Sequence, residues 1–282
     1  MMDKDFFTLV TEHFTIEGRS RAGQETFFRV RDLGVVLDIG RGPDIAVHMP
    51  NIFVTHAHID HSLGIPFYAG QRNLQRIAGG RVFVPGETAD DFRALMALHE
   101  KLEDTGYGIE IVGLAENEVV PIDRTHEVRA HRATHRVAAR AYEFLEVRHR
   151  LREQYAGRDD IVDLRRQGAD VTEEFRWPLL FYTGDTDRGI LEANEAIFKA
   201  EVLIMECSFV AAGDQERAAR YRHIHFDDIA EFADRFANTM ILLTHFSRRY
   251  SRAEIRDEIR RRCPATLRDR IRLALPKPFQ RL

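Results

Sequence analysis

The 282-residue sequence predicts an α/β fold in which two β layers are covered by helices. Short apolar runs rich in Val, Ile and Phe recur along the whole chain, with turn residues at their edges. Helix-period stretches fall between them. A dense His/Asp cluster sits where one of the runs stops.

In chain order the strand-like runs are 26–31, 34–39, 51–55, 81–85, 118–122, 179–183, 201–205 and 239–244. Residues 87–102 carry Phe92, Leu95, Met96 and Leu98 at roughly helical spacing, which predicts one helix. Residues 226–237 predict a second helix through Ile229, Ala230, Phe232, Ala233 and Phe236. Residues 252–262 predict a third, with Arg repeated on its polar face. The first half reads as richer in strands, whereas the second alternates strand and helix. No internal repeat, low-complexity tract or Pro/Gly-rich linker is visible, so one domain spanning 1–282 is expected.

Composition narrows the function classes. With 44% hydrophobic and 30% charged residues, the chain is neither disordered nor fibrous. No apolar run approaches the ~18 residues of a membrane span. Two cysteines, Cys207 and Cys263, cannot build a disulfide framework or a Cys-based zinc site, so a reducing, cytoplasmic setting is expected. All but four of the 41 basic residues are Arg. Genomic base composition gives such an excess, and so does contact with phosphate. The polar stretch 147–178 interrupts the strand–helix pattern. Within 148–168 its arginines outnumber its acids by a net +2 in a chain of net charge −4. It reads as a protruding arm, either a solvated excursion or a grip on a polyanion.

The chemistry concentrates at Thr55-His56-Ala57-His58-Ile59-Asp60-His61, directly after an apolar run. A tight turn there can aim His56 and His58 at one metal ion, and Asp60 and His61 at a second. Imidazole and carboxylate suit zinc, and a mixed set suits two ions ~3.5–4 Å apart. Such a cluster needs distant partners. His135, Asp185 and His245 are the candidates, the last two each ending an apolar run, with Asp185 the natural bridging carboxylate.

His56-Ala57-His58-Ile59-Asp60-His61 resembles the His-x-His-x-Asp-His motif of the metallo-β-lactamase superfamily, and His135, Gly184-Asp185-Thr186 and His245 follow in that superfamily's order. Narrower segments resemble ribonuclease Z, the tRNA 3′-processing endonuclease, in its short, plant-type branch: His245-Phe246-Ser247-Arg248-Arg249-Tyr250, Glu206-Cys207-Ser208-Phe209 and Arg222-His223-Ile224-His225. So do the stretches from Ser20 to Thr26 and from Asp38 to Pro43. The chain departs from the family pattern at Val137-Ala138-Ala139-Arg140 after His135, and at Arg222, where the family has Gly.

The resemblance implies a four-layer αββα sandwich and a zinc-dependent phosphodiesterase that cleaves precursor tRNA trailers with a hydroxide held by two zinc ions per subunit, manganese being an alternative. It implies His56, His58 and His135 with Asp185 at one ion, and Asp60, His61 and His245 with Asp185 at the other. Asp60 also orients the nucleophilic water. Glu206 with His223 or His225 is the implied general acid. Two histidines two positions apart cannot point the same way, and the family's spacing to the last motif favours His223. Ser247 and Arg249 are candidate ligands of the scissile phosphate. The implied partners are precursor tRNA and a second copy of the chain, with no membrane. Two other readings stay beside this one: a hydrolase of small phosphodiesters, cyclic nucleotides or other esters, and a metal-bound RNA-binding protein with little catalysis.

Overall fold

The computed structural model describes residues 6–275. Two seven-stranded sheets face each other. The first consists of β1 (Phe7–Val10), β2 (Thr15–Arg21), β3 (Glu25–Val30), β4 (Val35–Leu37), β5 (Asn51–Phe53), β6 (Arg81–Pro85) and β7 (Glu110–Leu114), in sequential order. The second consists of β8 (Val119–Pro121), β9 (His126–Ala133), β10 (Ala139–Leu151), β11 (Thr172–Tyr182), β12 (Val202–Glu206), β13 (Met240–Thr244) and β14 (Ile271–Leu273), again sequential.

In each sheet the first four strands pair antiparallel and the last four parallel. The chain therefore repeats one arrangement twice, although its sequence shows no repeat. The expected contrast between a strand-rich first half and an alternating second half is not found.

Three apolar cores separate four layers. Phe28, Phe53, Tyr142, Phe144 and Tyr182 fill the space between the sheets. Phe53 stacks on Phe83 and meets Tyr142 and Phe144 edge-on, with centroids 4.4, 5.2 and 5.2 Å apart. The outer faces of the sheets pack against helices through Val36, Ile52 and Tyr68 on one side, and Leu203, Ile229 and Ile259 on the other. The αββα sandwich is the architecture found.

The third expected helix spans Arg252–Arg262, opened by a capping box between Ser251 and Glu254. The second is shorter than expected. It runs Phe226–Glu231 and then tightens into a 3₁₀ turn at Ala233–Arg235, because Phe232 leaves helical backbone at φ −93°, ψ 12°. The first spans Ala89–Glu103. Only part of its apolar set is inward: Phe92 and Met96 are buried, while Leu95, Leu98 and Leu102 form a second stripe facing solvent.

Strands β10 and β11 continue well past the body as a hairpin, and burial fades toward its tip. Its net positive charge belongs to the window 148–168 alone. In three dimensions Arg148 pairs with Glu146, Arg150 with Glu173, Arg152 with Asp170, Arg158 with Asp160, Arg166 with Asp163, and Arg176 with Glu127 and Glu174. Acids just outside that window balance the arm. Trp177 packs at the arm's base under Arg148, whose guanidinium lies 4.7 Å from the ring centroid.

Among the described residues no helix is long and apolar enough to cross a membrane.

Candidate active site

The parallel strands deliver the site. Asp38 follows β4, residues 55–61 follow β5, Asp185 follows β11, Glu206 ends β12 and His245 follows β13. Backbone groups at the carboxyl ends of such strands open into loops that converge above the sheet. His135 comes instead from the β9–β10 turn, which an isolated bridge between His56 and Ala139 ties to the His cluster.

Three ring nitrogens meet on one side. His56 Nε2 lies 3.0 Å from His58 Nδ1, which lies 3.3 Å from His135 Nε2. Ligand nitrogens around a tetrahedral divalent ion, with bonds of about 2.0–2.1 Å as for zinc, are separated by about 3.3 Å. The spacing fits an ion. Burial lowers the pKa of all three rings, that of His56 well below the usual value, so they are neutral as metal ligands must be.

On the other side Asp60 Oδ2 lies 3.6 Å from His61 Nε2 and 3.7 Å from His245 Nε2. Asp185 Oδ2 lies between the two groups, 3.8 Å from His56, 3.5 Å from His61 and 3.3 Å from His245. His61 Nε2, His245 Nε2 and Asp185 Oδ1 are all buried with no hydrogen-bond partner among the described residues. Orphaned buried polar atoms are uncommon, and the Nε2 atoms of His61 and His245, both close to Asp185 Oδ2, fit a cation beside them. His56, His58, His135 and Asp185 form one metal-competent group, and Asp60, His61 and His245 another. Burial pushes the carboxyl of Asp185 up, but the neighbouring charges of His245 and His61 outweigh it and hold it well below the usual range.

Local backbone explains the aim of these side chains. Gly184 has φ +57°, and a Cβ there would lie 2.5 Å from Thr55 Cβ, so only glycine lets Asp185 enter. His245 is itself left-handed at φ 58°, held by its N–H donating to Ser20 Oγ at 2.9 Å and by a bond between its Nδ1 and Ser208 Oγ at 2.9 Å.

Several supporting residues were not singled out from the sequence. Asp38 is fully buried. It bonds His61 Nδ1 at 2.7 Å and accepts from Tyr182 Oη at 2.5 Å and Thr55 N–H at 2.7 Å, so it orients a ligand and clamps the two sheets together beneath the site. It ends an apolar run as Asp185 does, which was its available signal. Gly23 N–H donates to Asp60 Oδ2 at 2.7 Å. Arg222 clasps His135 twice. Its carbonyl lies 3.1 Å from His135 Nδ1, and its guanidinium donates to the His135 carbonyl at 2.8 Å.

Glu206 is buried and fully bonded. Its Oε1 lies 2.8 Å from His223 Nδ1 and accepts from Thr186 N–H at 2.8 Å, and its Oε2 accepts from Ser208 Oγ at 2.6 Å. Burial disfavours the charged His223 ring, but the Glu206 charge prevails and its pKa is raised to about 9. A ring protonated at neutral pH is a proton donor and not a metal ligand.

His225 is not part of this group. Its Nδ1 accepts Asp227 N–H at 3.1 Å to cap the next helix, and its Nε2 lies 3.0 Å from the Ala211 carbonyl. Both ring nitrogens are occupied by backbone, which removes it as the alternative acid. Ser247 lines the cleft over the metal-competent groups, whereas Arg249 lies on the exposed loop beyond it.

An αββα sandwich with this His/Asp cradle at its strand ends defines a metal-dependent hydrolase of the metallo-β-lactamase class. The family model described as "Beta-lactamase superfamily domain" matches residues 42–246. The chain is 33% identical over 253 residues to tRNase Z TRZ1 of Arabidopsis thaliana, covering 88% of this chain and 90% of that one. It is 33% identical over 254 residues to the chloroplastic tRNase Z TRZ2 of the same plant, covering 88% and 72%. In fold it is similar to human tRNase Z, short form, with a TM-score of 0.58 at 20% identity over 82% of this chain and 92% of that one. The chain belongs to the ribonuclease Z family of the metallo-β-lactamase superfamily.

Proposed function

We propose that this protein is an endoribonuclease that removes the 3′ trailer of precursor tRNA by hydrolysis at a site holding two zinc ions, with manganese able to replace them. The observation that carries the reading is the 2.8 Å pairing of His223 with Glu206 beside the seven His and Asp side chains of the two metal-competent groups. Bound divalent ions would acidify water and offset the charge on a phosphodiester in transition. The chain's own residues do the rest. Asp60, whose carboxyl burial raises but His245 brings down to about 2, is ionised throughout the working range. With one oxygen on Gly23 N–H, it can accept a hydrogen bond from the attacking water and so orient it. His223 protonates the departing 3′-oxygen, and Glu206 holds that proton in place. Ser247 on the cleft wall and Arg249 on the loop after it are assigned to the phosphate. His225 is assigned to capping alone.

The test is cleavage of a 3′-extended precursor tRNA beside bis-p-nitrophenyl phosphate. A cut next to the acceptor stem supports the proposal. Turnover of the small diester alone makes the protein a hydrolase of small phosphodiesters.

The arm at about 147–178 is assigned to RNA. Its exposed ion pairs are each worth about 0–1 kcal/mol, so its arginines can exchange a carboxylate for a phosphate at little cost. Deleting 148–168 should reduce precursor cleavage roughly ten-fold or more while hydrolysis of the small diester falls much less. Equal loss on both would remove the arm from RNA binding.

We further infer a homodimer working in the cytoplasm, where the two free, buried cysteines suit a reducing setting. Leu95, Leu98 and Leu102 face solvent next to a groove shared by the helices Ile65–Leu74 and Ala89–Glu103, where Phe67 and Leu74 are also exposed. A patch of this kind is suited to a second copy. Leu98→Asp should turn a dimer into a monomer in sedimentation with the fold intact. An unchanged mass would place the interface elsewhere.

A further inference from the structure

The cleft over the metal-competent groups has a volume of about 220 Å³ and is lined by His58, His135, His223 and Ser247, and also by Tyr221 and Arg136. The volume admits one base and not a duplex. Tyr221 is the last residue of the helix Gln215–Tyr221, and the chain turns at once through Arg222, left-handed at φ 57°. That turn places Tyr221 and His223 on the same wall. Tyr221 is 37% exposed, an unusual position for a large aromatic ring at the mouth of a polar site, and its hydroxyl has no hydrogen bond among the described residues. Within the chain the ring meets the Arg220 guanidinium, whose centre lies 5.7 Å from the ring centroid, and the ring still forms part of the cleft wall. Arg136, on the same cleft, is exposed and has no carboxylate partner among the described residues.

From this geometry we infer that Tyr221 is a stacking platform for the base of the nucleotide immediately 5′ to the scissile phosphate. The inference rests on the ribonuclease reading above and adds a substrate-binding residue to it. The oxygen protonated by His223 is the 3′-oxygen of that nucleotide, so its base lies within one sugar of the His223 wall. The P–O3′ bond breaks as water attacks from the opposite side, and the trailer keeps the phosphate on its 5′-oxygen. Aromatic rings hold single-stranded bases by stacking, which tolerates any base because every base has a π-face. Tyr221 therefore supplies affinity at that position without choosing among the four bases.

The experiment pairs the side chain with the base. Tyr221→Ala and Tyr221→Phe proteins are assayed on a precursor with an intact nucleotide at that position and on one that is abasic there. Tyr221→Ala should lower kcat/KM on the intact precursor roughly ten-fold or more, through KM. Tyr221→Phe should retain it, because the ring and not the hydroxyl acts. On the abasic precursor Tyr221→Ala should cost nothing more. A loss of equal size on both precursors, or a loss shared by Tyr221→Phe, would overturn the assignment. The same cycle is read by the affinity of a minihelix ending at that nucleotide, with and without its base. Coupling in that binding supports the platform and its absence overturns it, whether or not the wild-type protein cuts any precursor. A wild-type protein that binds with coupling and cuts nothing would instead sink the ribonuclease reading.

Discussion

Asp185→Asn should lower turnover of every substrate by at least about 10³-fold and reduce the metal content of the purified protein below two ions. Asp185 is the one carboxylate within 4 Å of ring nitrogens from both groups, His56 on one side and His61 and His245 on the other. Its charge is what lets these cationic and metal-competent groups sit together in a buried place. Asparagine keeps the shape and removes the charge. The substitution breaks no hydrogen bond at Oδ1, which has no partner among the described residues, so the fold should survive with a far-UV spectrum like the wild type. Metal analysis and turnover measured on one preparation decide the matter. A variant that keeps both ions and more than a tenth of the rate would show that Asp185 does not bridge the two groups.

The second large effect is expected at His223. Removing a positioned proton donor costs about 10²–10⁴-fold. His223→Ala should show that loss on precursor RNA, whose leaving 3′-oxygen is strongly basic. The loss should be far smaller on bis-p-nitrophenyl phosphate, whose phenolate departs without a proton. Metal content should stay the same, because the groups His56/His58/His135/Asp185 and Asp60/His61/His245 remain whole without His223.

The pH profile carries the sign. The active form is protonated, and the ring's pKa is raised to about 9 by Glu206 against burial. Activity on RNA should therefore persist through neutrality and fall as pH rises through about 9. Glu206→Gln removes the largest of the charges that raise the pKa and leaves only Asp185 against burial, so the alkaline limb should move to lower pH. An unmoved limb in Glu206→Gln would separate the pair and leave His223 without its assigned role.

Much of this site was legible in the order of residues. His56, His58, Asp60 and His61 announce themselves because four metal-ligating side chains in six positions make a poor core and a poor random surface. Asp185 and His245 were readable because each ends an apolar run, and strand ends in parallel sheets are where loops gather. The strands that escaped include the short apolar β1, β7 and β14 as well as polar ones. β2 reads Thr15–Arg21 with alternate residues half exposed, and the outer ends of β10 and β11 carry charge on both faces of the arm. Pairing across the sheet, and not their own hydrophobicity, makes them strands. Helical spacing joined Leu95 and Leu98 to Phe92 and Met96 without saying which of two stripes meets the sheet, and the structure leaves the two leucines exposed.

Sequence by itself determined the kind of chemistry: seven His and Asp side chains in the right order, a Glu and two candidate histidines, and enough short apolar strands for two sheets. It left His223 and His225 both open as the proposed proton donor. Only the tertiary structure turns His223 to Glu206 and spends both nitrogens of His225 on backbone, because a left-handed turn at Arg222 and a helix cap after it aim residues two apart in different directions. It also decided the charge of the arm. Arginines that stand unopposed in a stretch of sequence meet acids delivered by the neighbouring strand, and a formal charge acts through its spatial partners and not its sequence neighbours.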